Sequence, residues 1–231
     1  MGRNRKPGPQ RGLLAPAHGP QVVRVTQISG EEHSVPAAEI YDVKSLKQKL
    51  QPKLNVSPFR QDVCHGNKVL CGDAKVHSEM DLTVVTRPSV EASGSQRQRL
   101  ANAAQFNKVT EIQAQLQLGI HPDFAVDGTT PLILASCKGH VAAVWLFLQG
   151  DANPDFRDGE GRTALMNAAR FGHVQVARLL LRAGARVDLR DDDKNTAMDL
   201  ATNDTIRAML CEAKILTKLA AKDVEVEPGA A

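Results

Sequence analysis

Hydrophobic and polar positions along residues 21–87 predict a few strands around one helix. Residues 21–28 and 32–35 are rich in β-branched residues and flank a Ser-Gly-Glu turn, so we expect them to form a hairpin. After Asp42, which is expected to cap a helix, apolar residues recur at helical spacing. The remaining predicted elements are a strand, a short strand and a final strand, in residues 59–64, 68–70 and 81–86. One helix packed on a mixed sheet would then bury Val23, Val25, Val43, Leu46, Leu50, Val63, Leu70, Leu82 and Val84.

A different pattern follows, because the chain beyond residue 99 repeats with a period of about 33 residues. In each unit a threonine is expected to start a short helix, and a glycine that tolerates left-handed geometry is expected to end it. A second helix rich in Val and Leu would pack antiparallel to the first, with Phe147 in the core. Such units bury their apolar faces only by stacking into a solenoid. The landmarks in register are Thr130, Thr163 and Thr196; Ala135, Ala168 and Ala201; Gly139-His140 and Gly172-His173.

Composition and charge separate the segments around these two units. Residues 1–20 are rich in Pro, Gly and Arg, with four basic residues and no acidic one, and are expected to be a disordered basic tail. Residues 88–98 are small and polar, which is typical of a linker. The rest of the chain is close to neutral, so its charge gives no support to nucleic-acid binding by a folded basic face.

The first unit resembles a ubiquitin-like β-grasp domain in the order of its phrases VRVTQISGEE, DVKSLKQKL, FRQDV, KVL and MDLTVV. A conjugatable modifier ends in a free diglycine tail, whereas this chain runs on through Arg87 and Pro88, so the resemblance implies a built-in module. The docking patch of that family would fall on Cys64 and Val85, although a cysteine is a weaker apolar anchor than the family's residue. A Ras-association-like module is an alternative reading of the same pattern.

The second unit resembles the ankyrin repeat in the stretches DGTTPLILASCKGHVAAVWLFLQGDANP and GEGRTALMNAARFGHVQVARLLLRAGARVD. Residues 99–119 look like a degenerate first repeat, with Asn107 at the glycine position, and residues 195–211 like a shortened last one. The family's usual histidine after Thr-Pro-Leu is replaced by Ile133, Met166 and Asp199, so the inter-repeat hydrogen-bond network of that histidine is not expected here, although the fold still is.

The expected fold class is therefore an α+β N-terminal β-grasp domain followed by an all-α ankyrin-repeat solenoid of three to four repeats. The predicted organisation is a disordered basic tail at 1–20, a ubiquitin-like domain at 21–87, a linker at 88–98, ankyrin repeats at 99–215, and a helix end with a disordered tail at 216–231.

The ankyrin resemblance also implies which residues bind a partner, because members of the family use their turn tips and the variable positions of their inner helices. At the turns these are Thr129, Arg157, Glu160, Arg162, Asp192, Lys194 and Asn195. On the inner helices they are Asn102, Gln105, Phe106, Leu134, Cys137, Lys138, Asn167, Arg170 and Phe171. Aromatic and Arg side chains are the usual energetic centres of such interfaces.

Trp145 stands apart from this set. It aligns with Arg178 on the outer face of a second helix, where the repeat usually presents a charged residue. Packing within the stack, docking on the ubiquitin-like domain and docking on a partner are three alternatives for this side chain.

Motifs of catalysis are missing from the sequence: it has no nucleophile triad pattern, no HExxH, no glycine-rich phosphate loop and no paired metal motif. We therefore expect no enzyme activity, no cofactor, no metal and no small-molecule substrate. No apolar run approaches the roughly 18 residues of a membrane span, and no secretory signal is recognised. Four cysteines without CxxC spacing favour reduced thiols in the cytoplasm or nucleus, and the chain is expected to be a monomer.

Two functions fit these features. The first is a non-enzymatic adaptor whose ankyrin groove binds one protein partner and whose ubiquitin-like domain recruits a second. The alternative is an adaptor in ubiquitin- or proteasome-linked turnover that delivers an ankyrin-bound client.

Overall fold

An N-terminal sheet unit and a helical stack make up the protein. The computed structural model describes residues 22–66, 68–70, 72–77 and 80–224, with the backbone alone at residues 218 and 220–224. The basic tail predicted for residues 1–20 lies outside the described residues, as does the end of the predicted C-terminal tail from residue 225 onward.

The described N-terminal residues form a sheet of five strands: β1 (Val22–Gln27), β2 (Glu32–Pro36), β3 (Gln61–His65), β4 (Lys68–Val69) and β5 (Leu82–Thr86). Their order across the sheet is β2-β1-β5-β3-β4. Strands β1 and β5 run parallel, and the other neighbouring pairs run antiparallel. The predicted hairpin is thus β1–β2, and the last strand lies in the centre of the sheet.

Helix α1 (Val43–Leu54) begins at the residue that the sequence predicts. The amide of Ser45 donates to Asp42 Oδ1 at 2.7 Å, and the amide of Asp42 donates to the Ser45 hydroxyl at 3.1 Å. The hydrogen bond that the Ser45 amide donates to the carboxylate, followed by the contribution of the Ser45 side chain, holds the pKa of the Asp42 carboxyl below its usual value. The apolar side of α1 covers one face of the sheet, and the predicted core residues are buried there, except that Leu70 is half-buried at the margin.

Eight further helices in the described residues pair into a stack. The inner helices are α2 (Gly94–Gln105), α4 (Pro131–Cys137), α6 (Ala164–Arg170) and α8 (Ala197–Leu200), and each contacts the next. The outer helices are α3 (Val109–Gln117), α5 (Val141–Gln149), α7 (Val174–Arg182) and α9 (Asp204–Val224). The predicted fold class is confirmed in its architecture: a mixed α/β sheet unit is followed by a helical repeat region. Among the described residues, no helix combines the length and the hydropathy needed to cross a membrane.

The landmarks of the period have local physical roles. Thr130, Thr163 and Thr196 each cap an inner helix by accepting a backbone N–H three residues on, at 3.3 to 3.4 Å. Between inner and outer helices the chain takes left-handed geometry, with φ of 72° at Gly139 and 74° at Gly172. Asn107 replaces glycine there in the first unit with φ of 53°, as its register predicts.

The repeat histidines join neighbouring units. His140 Nε2 lies 3.0 Å from the carbonyl oxygen of Gln105, and His173 Nε2 lies 3.0 Å from that of Cys137. Because a carbonyl oxygen only accepts, each ring nitrogen donates to the inner helix of the preceding repeat. The histidines therefore connect the repeats to one another, which is a structural role.

A chain of direct contacts joins the sheet unit to the stack. The Ser57 hydroxyl donates to the backbone carbonyl of Gln149 at 2.8 Å, and Gln51 Nε2 donates to Asp151 Oδ1 at 3.0 Å. Phe59 packs against the core of the stack. The stretch predicted as a linker is also structured, because Val90 donates its N–H to Gly119 at 2.9 Å and helix α2 already begins at Gly94.

Candidate functional site

The C-terminal ends of the inner helices expose a row of side chains, which we call the inner surface: Asn102, Gln105, Phe106, Leu134, Cys137, Lys138, Arg170 and Phe171. Equivalent positions of successive units lie side by side because the inner helices contact each other in order. Phe106, Lys138 and Phe171 are one such row, immediately before the left-handed residue of each unit. Phe106 is 63% exposed and Phe171 is 53% exposed, so both rings face solvent without a partner bound.

Phe171 is held by its neighbours on the inner surface. The guanidinium carbon of Arg170 lies 5.8 Å from the centroid of the Phe171 ring, within range of a cation–π contact. The ring also stacks on His173, with centroids 6.3 Å apart and planes at 30°. Because His173 is hydrogen-bonded to the Cys137 carbonyl of the preceding repeat, its position is fixed, and it in turn restricts the orientation of the Phe171 ring.

Cys137 lies between these aromatic positions, half-buried on helix α4. Burial raises the pKa of the Cys137 thiol above its usual value. The side chain is therefore a neutral, weakly polar part of the inner surface at neutral pH. Together with the half-buried Leu134 it gives the centre of this surface an apolar character.

The turn tips between repeats are organised by an aspartate that the sequence reading did not single out. Asp158 Oδ1 accepts the amides of Glu160 and Arg162 at 3.0 and 2.8 Å, and its Oδ2 lies 3.4 Å from Arg162 Nε. Asp191 repeats this arrangement one unit later by accepting the amide of Asn195 at 2.7 Å. The spacing of 33 residues between the two aspartates was the available signal.

The turns also contact each other. The amide of Asp192 donates to the carbonyl oxygen of Glu160 at 3.2 Å, and Arg157 donates to the backbone carbonyl of Arg190. Within a single turn, the Arg162 guanidinium pairs with Glu160 at 2.5 Å. Of the predicted turn residues, Arg157, Glu160, Asp192 and Lys194 are exposed, and Thr129, Arg162 and Asn195 are half-buried.

Asn167 does not belong to the inner surface, although its register predicts a partner contact. Its side chain is only 1% exposed. Its Nδ2 donates to the carbonyl oxygen of Thr163 at 3.3 Å and to Asp158 Oδ2 at 3.4 Å. Asp158 covers this position, so the Asn167 side chain stabilises the repeat internally and is not available to a partner.

The predicted docking residues of the N-terminal unit share one face of its sheet. Cys64 pairs across strands with Thr83, and Val85 pairs with Asp62, while the buried Val63–Val84 pair between them faces α1. Both Cys64 and Val85 are half-buried. The neighbouring Asp62 carboxylate lies 3.1 Å from the guanidinium of Arg87, which gives this face an ion pair that the sequence did not indicate.

The motif Pro-Asp-Phe occurs at residues 122–124 and again at 154–156, and the structure explains its aspartates. Asp123 accepts the amide of Asn153 at 2.9 and 3.1 Å through its two oxygens, and Asp155 accepts the amide of Arg186 at 2.9 Å. Burial raises the pKa of the Asp123 carboxyl, and the hydrogen bond from Asn153 opposes that shift. These carboxylates therefore join successive units. In the part of the chain that the structure describes, no group of three or more His, Cys, Asp or Glu side chains could hold a metal ion.

Comparison with known families agrees with this geometry. The family model of ankyrin repeats (three copies) matches residues 100–191 and 143–218, which together span just over half of the chain. A search of the curated proteins found no match. Paired antiparallel helices, threonine caps and left-handed glycines recur through the matched region. The chain therefore belongs to the ankyrin repeat family.

Proposed function

We propose that this chain is a non-enzymatic adaptor that binds a protein segment on its inner surface and recruits a second protein through its N-terminal sheet unit. Ankyrin repeats mediate binding to other proteins. The observation that carries the proposal is the exposed row of Phe106, Lys138 and Phe171, with Arg170 against the Phe171 ring.

The chemistry of the inner surface suits a protein partner. Large aromatic side chains and Arg dominate the binding energy of interfaces because they bury much area at a small cost in conformational entropy. Phe106 and Phe171 lie at equivalent positions on inner helices two repeats apart, with Leu134, Cys137 and Lys138 between them. An extended or helical segment with apolar side chains at both ends of this row would cover both rings.

Replacing both Arg170 and Phe171 by Ala is expected to weaken partner binding by about thirtyfold or more, since loss of an interface anchor costs about 2 kcal/mol or more. Affinity mass spectrometry with the full chain measures this as loss of captured partners. The matched control is the paired change Arg178→Ala and Arg182→Ala on the outer helix α7, where both side chains are exposed. If the Arg170 and Phe171 variant retains every captured partner at the level of the unmodified chain, the assignment of the inner surface is wrong.

A second candidate function is delivery of an ankyrin-bound client to ubiquitin-linked turnover. It is supported by the strand order of the N-terminal unit and by the one α-helix among its described residues, which are compatible with a ubiquitin-like domain. The shared face of Cys64 and Val85 would be the docking surface. Because β5 continues into Arg87 and then into helix α2, the unit would act in place within the chain and not as a detachable modifier.

Titration of the isotopically labelled full chain with ubiquitin-receptor domains tests this second function. Docking is expected to shift the amide resonances of β3 and β5 around Cys64 and Val85, because ring currents and hydrogen bonds of a bound receptor act on nearby amides. Val85→Arg should abolish the shifts, since a charge would be buried at the contact. Tyr41, which is 77% exposed just before α1, the helix on the opposite face of the sheet, offers the control Tyr41→Arg. If the amide resonances of β3 and β5 do not shift at a saturating concentration of receptor, the proposed turnover function is wrong.

A further inference from the structure

A cleft opens where the N-terminal unit meets the outer side of the helical stack. It has a volume of about 440 Å³, and helix α1 forms one wall while α3 and α5 form the other. We call it the junction cleft; the residues that the argument uses are Lys44, Phe59, Arg87, Trp145 and Leu146. A space of this size accommodates a few side chains of a peptide. It lies on the outer helices, so it is separate from the inner surface.

The walls of the junction cleft are fixed by hydrogen bonds between the two units. Ser57 donates to the backbone of Gln149 at 2.8 Å, and Arg87 donates to the backbone of Gln117 at 3.1 Å. Phe59 packs against the core of the stack at the same place. A site whose walls are already positioned binds with less loss of conformational entropy than one that must be assembled.

The apolar side chains that line the junction cleft include the only tryptophan of the chain. Trp145 is 36% exposed on α5, at the position that carries the exposed Arg178 one repeat later. The repeat itself therefore does not require an aromatic residue there. Phe59 and Leu146 also line the cleft, so it offers two aromatic rings and an aliphatic group to an inserted side chain.

The charged side chains among the lining residues are Lys44, Lys47 and Arg87, which we call the basic rim. No Asp or Glu is among the described residues that line the cleft. Arg87 also pairs with Asp62. The remaining polar lining is amide, from Gln48, Gln113, Gln117 and Gln149, which suits hydrogen bonding to a peptide backbone. The combined potential therefore favours a negatively charged segment.

We propose that the junction cleft is a second binding site whose occupant is an acidic peptide segment of a partner protein, with one aliphatic or aromatic side chain inserted over Trp145. Carboxylates on both sides of that anchor meet Lys44 and the basic rim. The proposal does not depend on the function proposed for the inner surface.

Selection of a displayed random-peptide library on the full chain tests this proposal. Acidic peptides with one large apolar residue are expected to be enriched. A synthetic tryptophan-free peptide of the enriched sequence should shift the emission of Trp145 to shorter wavelength, because the anchor displaces water from the indole. Anisotropy of the same peptide, fluorescein-labelled, gives its affinity, which should fall as salt is added.

Variants of the full chain locate the binding. Trp145→Arg, which introduces the residue found one repeat later, is expected to weaken binding of the peptide by about thirtyfold. Lys44→Glu, at an exposed helix position where folding is little affected, should weaken it by about fivefold. Phe171→Ala should leave it unchanged, which separates this site from the inner surface.

Several outcomes would overturn the proposal. No enrichment, enrichment of non-acidic peptides, or affinity unchanged in both Trp145→Arg and Lys44→Glu would each reject an acidic peptide as the occupant. A dimer in light scattering that Trp145→Arg dissociates would make the occupant a second copy. Tighter peptide binding after removal of residues 225–231, which include Glu225 and Glu227, would make it the chain's own terminus.

Discussion

Replacing Phe147 by Ala is expected to lower the free energy of unfolding of the repeat region by about 3–5 kcal/mol. Phe147 is fully buried and is among the largest side chains in the core of the stack. Its helix α5 contacts α3, α4 and α7, so the change opens a cavity beside a helix that joins three others. A short stack depends on each interface between its repeats, so loss of one interface weakens the whole.

Urea unfolding followed by the emission of Trp145 measures this effect, because this tryptophan lies two residues away on the same helix. Far-ultraviolet circular dichroism of the same samples reports the rest of the chain. Val141→Ala is the matched control: it removes apolar atoms from the same helix at a position that is 41% exposed, and should cost less than about 1 kcal/mol. Equal losses in the two variants would show that Phe147 does not hold the stack together.

The repeats could be predicted because their signals are local and recur. Threonine caps, left-handed glycines and apolar helix positions each follow from the preference of a residue for a backbone geometry, and the period repeats them. Asn107 has a φ of 53°, so even the degenerate first unit has left-handed backbone geometry at the position of the repeat glycine. In the N-terminal unit the capping pair Asp42–Ser45 and the burial of Leu46 and Leu50 were predictable for the same reason.

Burial of single polar residues was less predictable. Asn167 is a polar residue of a type usually found at the surface, and it occupies a position that varies in the family, yet it is 1% exposed. Its burial depends on Asp158, a residue of the preceding turn that reaches the inner helix. The periodicity of apolar residues carries no information about such a polar pair, because Asn and Asp side chains are equally well solvated when they are exposed.

The contact between the two units was the least predictable part. Ser57 and Gln149 are 92 residues apart, and the Ser57 hydroxyl donates to the backbone carbonyl of Gln149. Because every residue has a backbone carbonyl, this hydrogen bond requires no particular residue at position 149. Trp145 departed from the repeat pattern at this place, because the equivalent residue one repeat later is the charged Arg178. Trp145 lines the junction cleft. The residue that differs from the repeat pattern on the outer helix therefore lies where the two units meet.

Gly139→Ala is expected to lower the free energy of unfolding by about 3 kcal/mol through two additive causes. The residue has φ of 72°, a conformation that costs an L-residue about 1–2 kcal/mol. A Cβ there would also lie 2.6 Å from His173 Nδ1, so the imidazole must move. Moving it breaks the bond to the Cys137 carbonyl and costs about 1–2 kcal/mol more.

Two other glycines separate these causes. Gly184→Ala shares the positive φ, at 84°, but its Cβ would meet nothing within 4 Å, so it should show the backbone cost alone. Gly159→Ala lies in open space without a positive φ and should change stability by less than about 0.5 kcal/mol. Urea unfolding of the three variants measures both differences, and equal losses for Gly139→Ala and Gly184→Ala would contradict the steric cause.

Combining Gly139→Ala with His173→Ala tests the same contact from the other side. Once the imidazole is absent, the added methyl group has no ring to displace, so only the backbone cost of about 1–2 kcal/mol should remain for Gly139→Ala. The coupling between the two changes should therefore be about 1–2 kcal/mol. Additive effects would mean that His173 does not restrict position 139, and that glycine is needed there for its left-handed backbone alone.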